Sequence, residues 1–249
     1  MRSITHNLTK WLGVLTIAGM LFSSCSKGNN DPAPDPKPDT PVQTGSVPFY
    51  KLQRVENFLA PADDSAPTTP PPVVYFSLEN KTQTPADYQK TARWDISFSN
   101  LYNSFIGANN GKEATNPGYT ANGVGGILIL KQAFETVTDV PADSQFSASK
   151  SFGTDDLGAF GEGPGWYLYD FGGTIRGDGS YNKQHVAYAM PESRTLVVRT
   201  AAGNYAKIKM ISCYKDAFTA DKWFRDTPHM YFTFEYVIVP KGSTKFEIK

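Results

Sequence analysis

The residues best suited to chemistry lie between Trp166 and Met190. His185 stands just before the run VAYAM, after a glycine-rich polar stretch, and Met190 precedes Pro191. An imidazole and a thioether are both ligands for a transition metal. Trp166, Tyr167, Tyr169 and Tyr188 could stack on a flat ligand or a sugar, or could equally fill a core. The competing readings are structural: a histidine hydrogen-bonded at the start of a strand, and a methionine filling an apolar gap. His229 opens another aromatic run and is a weaker candidate, and His6 belongs to the N-terminal segment. Two distant histidines cannot build a structural zinc site. The acidic pairs Asp63-Asp64 and Asp155-Asp156 are adjacent, whereas a calcium loop of the EF-hand type alternates its ligands. Gly161, Gly163 and Gly165 lack the strand-then-helix setting of a phosphate loop. No GxSxG is present, and whether two carboxylates meet at a glycosidase spacing is a property of the fold. No catalytic residue and no metal site is assigned, and the chain reads as a non-enzyme. Asp95 and Arg199 read as a structural pair or a hydrogen-bonding scaffold.

The N-terminus carries its own chemistry. Arg2 and Lys10 precede a 12-residue, mostly apolar run, Trp11 to Phe22. That run is too short for a bilayer's hydrocarbon core, which needs roughly 20 residues, but suits a signal peptide. Ser23 and Ser24 then lead to Cys25, where bacterial lipoprotein processing would acylate the thiol, although Leu21 sits one position early for the usual motif. Residues 1–24 are thus read as the signal and residues 25–45 as a lipidated cysteine with a proline- and aspartate-rich tether. Such a stretch buries too little apolar surface to offset the entropy of ordering. Cys213, between Met210, Ile211 and Tyr214, reads as a buried small apolar side chain without a disulfide partner.

The elements that must hold the candidates are strands. Aromatic residues make up 13% of the 249, and glycine and proline together give 21 + 18 = 39, a composition of pleated strands and tight turns. Lys and Arg total 24 against 24 Asp and Glu, without the basic excess of a nucleic-acid binder. Strand-like runs are VVYFSL (Val73 to Leu78), RWDISF (Arg93 to Phe98, with Trp94, Ile96 and Phe98 on one face), GGILIL (Gly125 to Leu130, apolar on both faces and therefore central) and WYLYDF (Trp166 to Phe171). A hairpin is predicted for RTLVVRT and YAKIKMISCY around Ala201 to Asn204. Lys207 and Lys209 should lie on the side opposite Ile208 and Met210. In HMYFTFEYVIV (His229 to Val239), Met230, Phe232, Phe234, Tyr236 and Ile238 should face inward and Tyr231, Thr233 and Glu235 outward. Short helices are expected at residues 85–91 and 217–225, and long polar loops at 101–124 and 172–184. The fold class is all-β: one mainly antiparallel domain over residues 46–249 with one or two short helices.

In their order, YFSL, RWDISF, VGGILIL, GWYLYD, VVRTAAGNYAKIKMISCYKD and the final MYFTFEY resemble the HmuY-like family of Bacteroidetes lipoproteins. The resemblance implies an all-β fold that holds haem or a related tetrapyrrole for iron acquisition. It also implies an outer-membrane transporter as partner and a lipid-anchored location at the outer membrane or cell surface. Haem needs an imidazole or thioether axial ligand beside an aromatic pocket. In the family two loops supply the axial ligands. One corresponds to residues 141–165, which contain neither His nor Met. The other ligand falls near the WYLYDF strand, where this chain has Phe171. His185 and Met190 are therefore the axial candidates, with Trp166, Tyr167, Tyr169 and Tyr188 as pocket candidates. The alternative is a structural, interaction or glycan-associated lipoprotein that does not bind haem.

Overall fold

The computed structural model describes residues 47–249. The signal, Cys25 and the tether lie outside the described residues. The chain beyond them forms two five-stranded antiparallel sheets and a hairpin. The first sheet has the order β1-β12-β11-β10-β6, from Gln53–Leu59 (β1), His229–Val239 (β12), Tyr205–Tyr214 (β11), Thr195–Arg199 (β10) and Gly126–Leu130 (β6). The second has the order β3-β2-β4-β5-β7, from Thr82–Thr84 (β3), Val74–Ser77 (β2), Ile96–Ser99 (β4), Phe105–Ala108 (β5) and Ser151–Phe152 (β7). Tyr167–Asp170 (β8) and Val186–Ala189 (β9) make the hairpin. The all-β expectation holds.

The core joins the inner faces of the two sheets. Alternation along β12 sends Phe232, Phe234 and Tyr236 inward, where Phe98 meets Phe232 at 4.6 Å and Phe76 meets Phe234 edge-on at 5.5 Å between ring centroids. Each such ring stabilises the fold by about 1.5–3 kcal/mol through burial. Trp166 joins this core, and its indole N–H donates to the Ser104 carbonyl at 2.8 Å. Cys213 is buried, as expected, and burial pushes its thiol up to about 12. The predicted β10–β11 hairpin forms, with Gly203 at φ 92, where a side chain would be strained.

Several sequence expectations are corrected by packing. The first sheet is covered on its outer face as well, by Phe134, Val137 and Phe246 over Leu128, Val197 and Val237. Lys207 is consequently buried, donating from Nζ to the carbonyls of Phe134 and Val137. The same two-sided cover explains the doubly apolar GGILIL, which is an edge strand and not a central one. Thr233 is buried because β1 bulges at Asn57, whose N–H donates to Thr233 Oγ1. Trp94 precedes β4 and, instead of sharing the face of Ile96 and Phe98, packs on Tyr75 at 4.6 Å. The expected helices shrink to single 3-10 turns, Ala86–Tyr88 and Ala220–Lys222, since local carbonyls are taken by side chains: Trp94 Nε1 bonds Gln89 O and Trp223 Nε1 bonds Ala217 O. The supposed loop 101–124 contains β5, whose FIGA run is too short to signal itself by periodicity.

Asp95 and Arg199 do not pair with each other; each is instead part of a hydrogen-bonding scaffold. Arg199 bonds the Val124 carbonyl and Asp143. Asp95, buried, accepts from the N–H groups of Leu78, Glu79 and Ala201 and from Ser77 Oγ, tying the two sheets at one point. Burial and then the neighbouring Glu79 charge push its carboxyl up to about 7. A carboxyl that ionises later in the folded than in the unfolded chain favours folding below its unfolded value, near 4, and loses that advantage as pH rises to about 7. The thermal midpoint should therefore fall across that interval. In Glu79→Gln, which keeps the amide oxygen for Thr200 Oγ1 and Asn204 Nδ2, the slope should flatten. Melting curves of both proteins between pH 4 and 8 check this; equal slopes would count against it.

Candidate functional site

Two loops bring an exposed aromatic group around one imidazole. The segment before β8 runs alongside it: Asp155 N–H donates to Tyr167 O, and Ala159 N–H to Tyr169 O. Gly158 lies so close that a Cβ there would stand 2.5 Å from the Tyr169 nitrogen, so only glycine lets the loop approach. The buried Asp155 carboxylate fastens the loop ends. It accepts from Leu157 N–H and Gly165 N–H, and Arg194 grips both its oxygens, Nε at 2.7 Å and Nη2 at 3.1 Å. Burial alone would raise this carboxyl, but Arg194 and the two amides hold it below its ordinary range. The fastened loop lifts Phe160 into solvent, 76% exposed.

The second loop leaves β8 at Asp170 and re-enters at β9. The buried Asp170 carboxylate accepts from four consecutive N–H groups, Thr174 to Gly177. These amides, outweighing burial, depress its pKa. Phe171 and His185 flank the hairpin mouth, joined by His185 N–H to Phe171 O at 3.2 Å. Both Phe160 and His185 have positive φ, 64 and 60, a conformation that costs such residues about 1 kcal/mol or more and often accompanies a functional site.

The resulting patch is compact. Phe171 meets His185 edge-on at 4.7 Å and Phe160 at 5.5 Å, and Tyr169 lies 6.1 Å from Phe160. Tyr169 OH and His185 Nδ1 are 2.8 Å apart, and no bond engages Nε2 among the described residues. One ring nitrogen is thus oriented by a partner while the other is available, the arrangement usual for a metal-ligating histidine. Partial burial, and then the charge of Arg225, lower the His185 pKa. The neutral imidazole that ligation requires therefore prevails at neutral pH. Arg225 is placed by its N–H to Asn182 O and by its guanidinium 4.4 Å above the Tyr181 ring.

Of the predicted site residues, only His185 and Tyr169 reach this patch. Met190 is 1% exposed and Trp166 2%, and Tyr167 and Tyr188 are buried with them in the core. They are corrected to packing residues: the β8–β9 hairpin is covered on both faces, so alternation does not expose one of its sides. His229 is held elsewhere, its Nε2 3.0 Å from Asp64 Oδ1. Phe160, Arg225 and the Asp155–Arg194 clamp were not predicted. Phe160 had one signal, an aromatic side chain set among glycines in AFGEGPG. Among the described residues, no cluster of three or more His, Cys, Asp or Glu could hold a bare metal ion. No described helix is long and apolar enough to cross a membrane.

Fold and patch together define a two-sheet antiparallel β protein whose loops present an oriented imidazole among exposed aromatic rings. The chain belongs to the HmuY family: the family model described as HmuY protein matches residues 71–236, well over half of its length. That family is associated with haem binding. No curated protein matches the chain.

Proposed function

We propose that this protein is a non-enzymatic lipoprotein of the cell envelope that takes up haem or a related tetrapyrrole for delivery to an outer-membrane transporter. In this reading Cys25 anchors it to the membrane. The observation that carries the ligand is the imidazole of His185, oriented by Tyr169 with Nε2 left available, beside Phe160 and Phe171. A group of large exposed apolar rings is uncommon on a monomer's surface unless it meets a ligand or partner. When bound, haem would supply an iron that accepts the His185 nitrogen, and its flat face would lie on the aromatic rings. Arg225 offers a cation for the ligand's acidic arms. The residues fit one axial bond; the loop that resembles the family's other ligand loop presents Phe160, which cannot donate to iron.

Affinity for ferric haem, followed by fluorescence quenching, should fall about 100-fold in His185→Ala, at or above what loss of a supporting partner costs a metal site. Met190→Leu should leave it unchanged, because that side chain is core. Equal affinities of His185→Ala and the wild type would overturn the assignment and favour the alternative, an interaction lipoprotein that does not bind haem.

A further inference from the structure

A haem iron held by His185 has a second axial position on its opposite face. The side chains that ligate haem iron are His, Met, Cys and Tyr. Residues 155–165, the loop that carries Phe160, contain none of the four. Met190, Met210, Met230 and Cys213 are buried. His229 has both ring nitrogens engaged, Nε2 3.0 Å from Asp64 Oδ1 and Nδ1 3.4 Å from Thr227 O. Of the phenols beside the patch, Tyr169 is committed to His185 Nδ1 and Tyr102 to Asp64. Tyr181 shares a loop with His185 rather than with Phe160, and the Arg225 guanidinium lies 4.4 Å above its ring. The two loops are also poorly able to move and bring up a distant donor. The first is fixed by the Asp155–Arg194 clamp and by Ala159 N–H on Tyr169 O, the second by four amides on Asp170.

Resting on the haem reading above, we infer that the chain leaves the second axial position of a bound haem to a donor from outside, a small and unhindered planar nitrogen heterocycle of the imidazole class. The rim decides the class. Phe160 and Phe171 are 76% and 49% exposed, so a ligand arriving beside them meets apolar rings. A carboxylate would have to shed water against those rings, and an amine that is protonated at neutral pH has no lone pair to give. A neutral heterocycle keeps its lone pair and can pack edge-on, as Phe160 and Phe171 do with each other at 5.5 Å. The exchange moves no electron: a nitrogen lone pair joins ferric iron, and the solvent that held the position leaves.

The test uses the full chain loaded with ferric haem, freed of excess by gel filtration, and read by visible absorption and low-temperature electron paramagnetic resonance. A high-spin signal is expected without additions. Imidazole should convert it to a low-spin signal along a saturable curve, with the haem still on the protein after a second gel filtration. 2-Methylimidazole, whose methyl group crowds the donor nitrogen, should leave the spin state unchanged at the same concentrations. Tyr181→Phe, at a side chain 62% exposed, should reproduce the whole series. A low-spin signal before any addition would overturn this inference alone, because the chain would then supply both donors. So would a starting signal that changes in Tyr181→Phe, an imidazole titration that leaves the iron high-spin or strips the haem, or an equal response to 2-methylimidazole. If no haem stays with the chain on the first gel filtration, the haem reading itself falls and this inference with it.

Discussion

Arg194→Met should destabilise the protein by about 3–5 kcal/mol, the loss expected when one partner of a buried ion pair is removed. Asp155 has no exposed surface, and the guanidinium is its only cationic partner among the described residues. After the substitution its carboxylate keeps two amide donors but stays charged in a dry site. The double variant Asp155→Leu/Arg194→Met should recover much of that loss, since an apolar pair replaces the ionic one without leaving a buried charge. The same series separates stability from function. The 155–165 loop carries Phe160, so both variants should lose part of the patch and bind haem more weakly even where the fold survives. Denaturant midpoints of the three proteins check the first statement. A single-variant loss below about 1 kcal/mol, the scale of a surface pair, would contradict it.

Asp170→Ala is the second large effect, at about 2–4 kcal/mol. Four successive amides lose a charged acceptor, and bonds to charged groups are worth about 1.5–3 kcal/mol each, offset here because a surface loop lets water replace some of them. The folded-state pKa of Asp170 is depressed, so its contribution is complete above the unfolded value near 4 and disappears as pH falls below it. The difference in stability between wild type and variant should therefore shrink in acid. Since Phe171 and His185 bracket this loop, the variant should also bind haem less well, although His185 itself is intact. A stability difference that stays constant from pH 6 to pH 2 would contradict the role given to the carboxylate.

Much of the fold was legible because it rests on alternation. β12 declares its inner face by Phe232, Phe234 and Tyr236, and the β10–β11 hairpin by the turn at Gly203. Alternation fails where both faces are covered. GGILIL and the aromatic β8 then look like a central strand and a pocket wall, although one is an edge and the other core. The patch was legible only in part. His185 was singled out by residue type and Tyr169 by its aromatic run, while Trp166, Tyr188 and Met190 were indistinguishable from them in sequence. Burial alone separates the two groups, and burial depends on long-range contacts such as that of Trp166 with Phe232. Phe160 and Arg225 arrive through loop geometry, a buried clamp and a positive φ, which leave almost no local signal.

Visible absorption of the wild-type protein titrated with haem, oxidised and reduced, tests the central claim most directly. A sharp Soret shift that saturates at about one equivalent and depends on His185 is the predicted result. Unchanged free-haem spectra in both redox states would contradict it, and would leave the aromatic patch as a surface for some other partner.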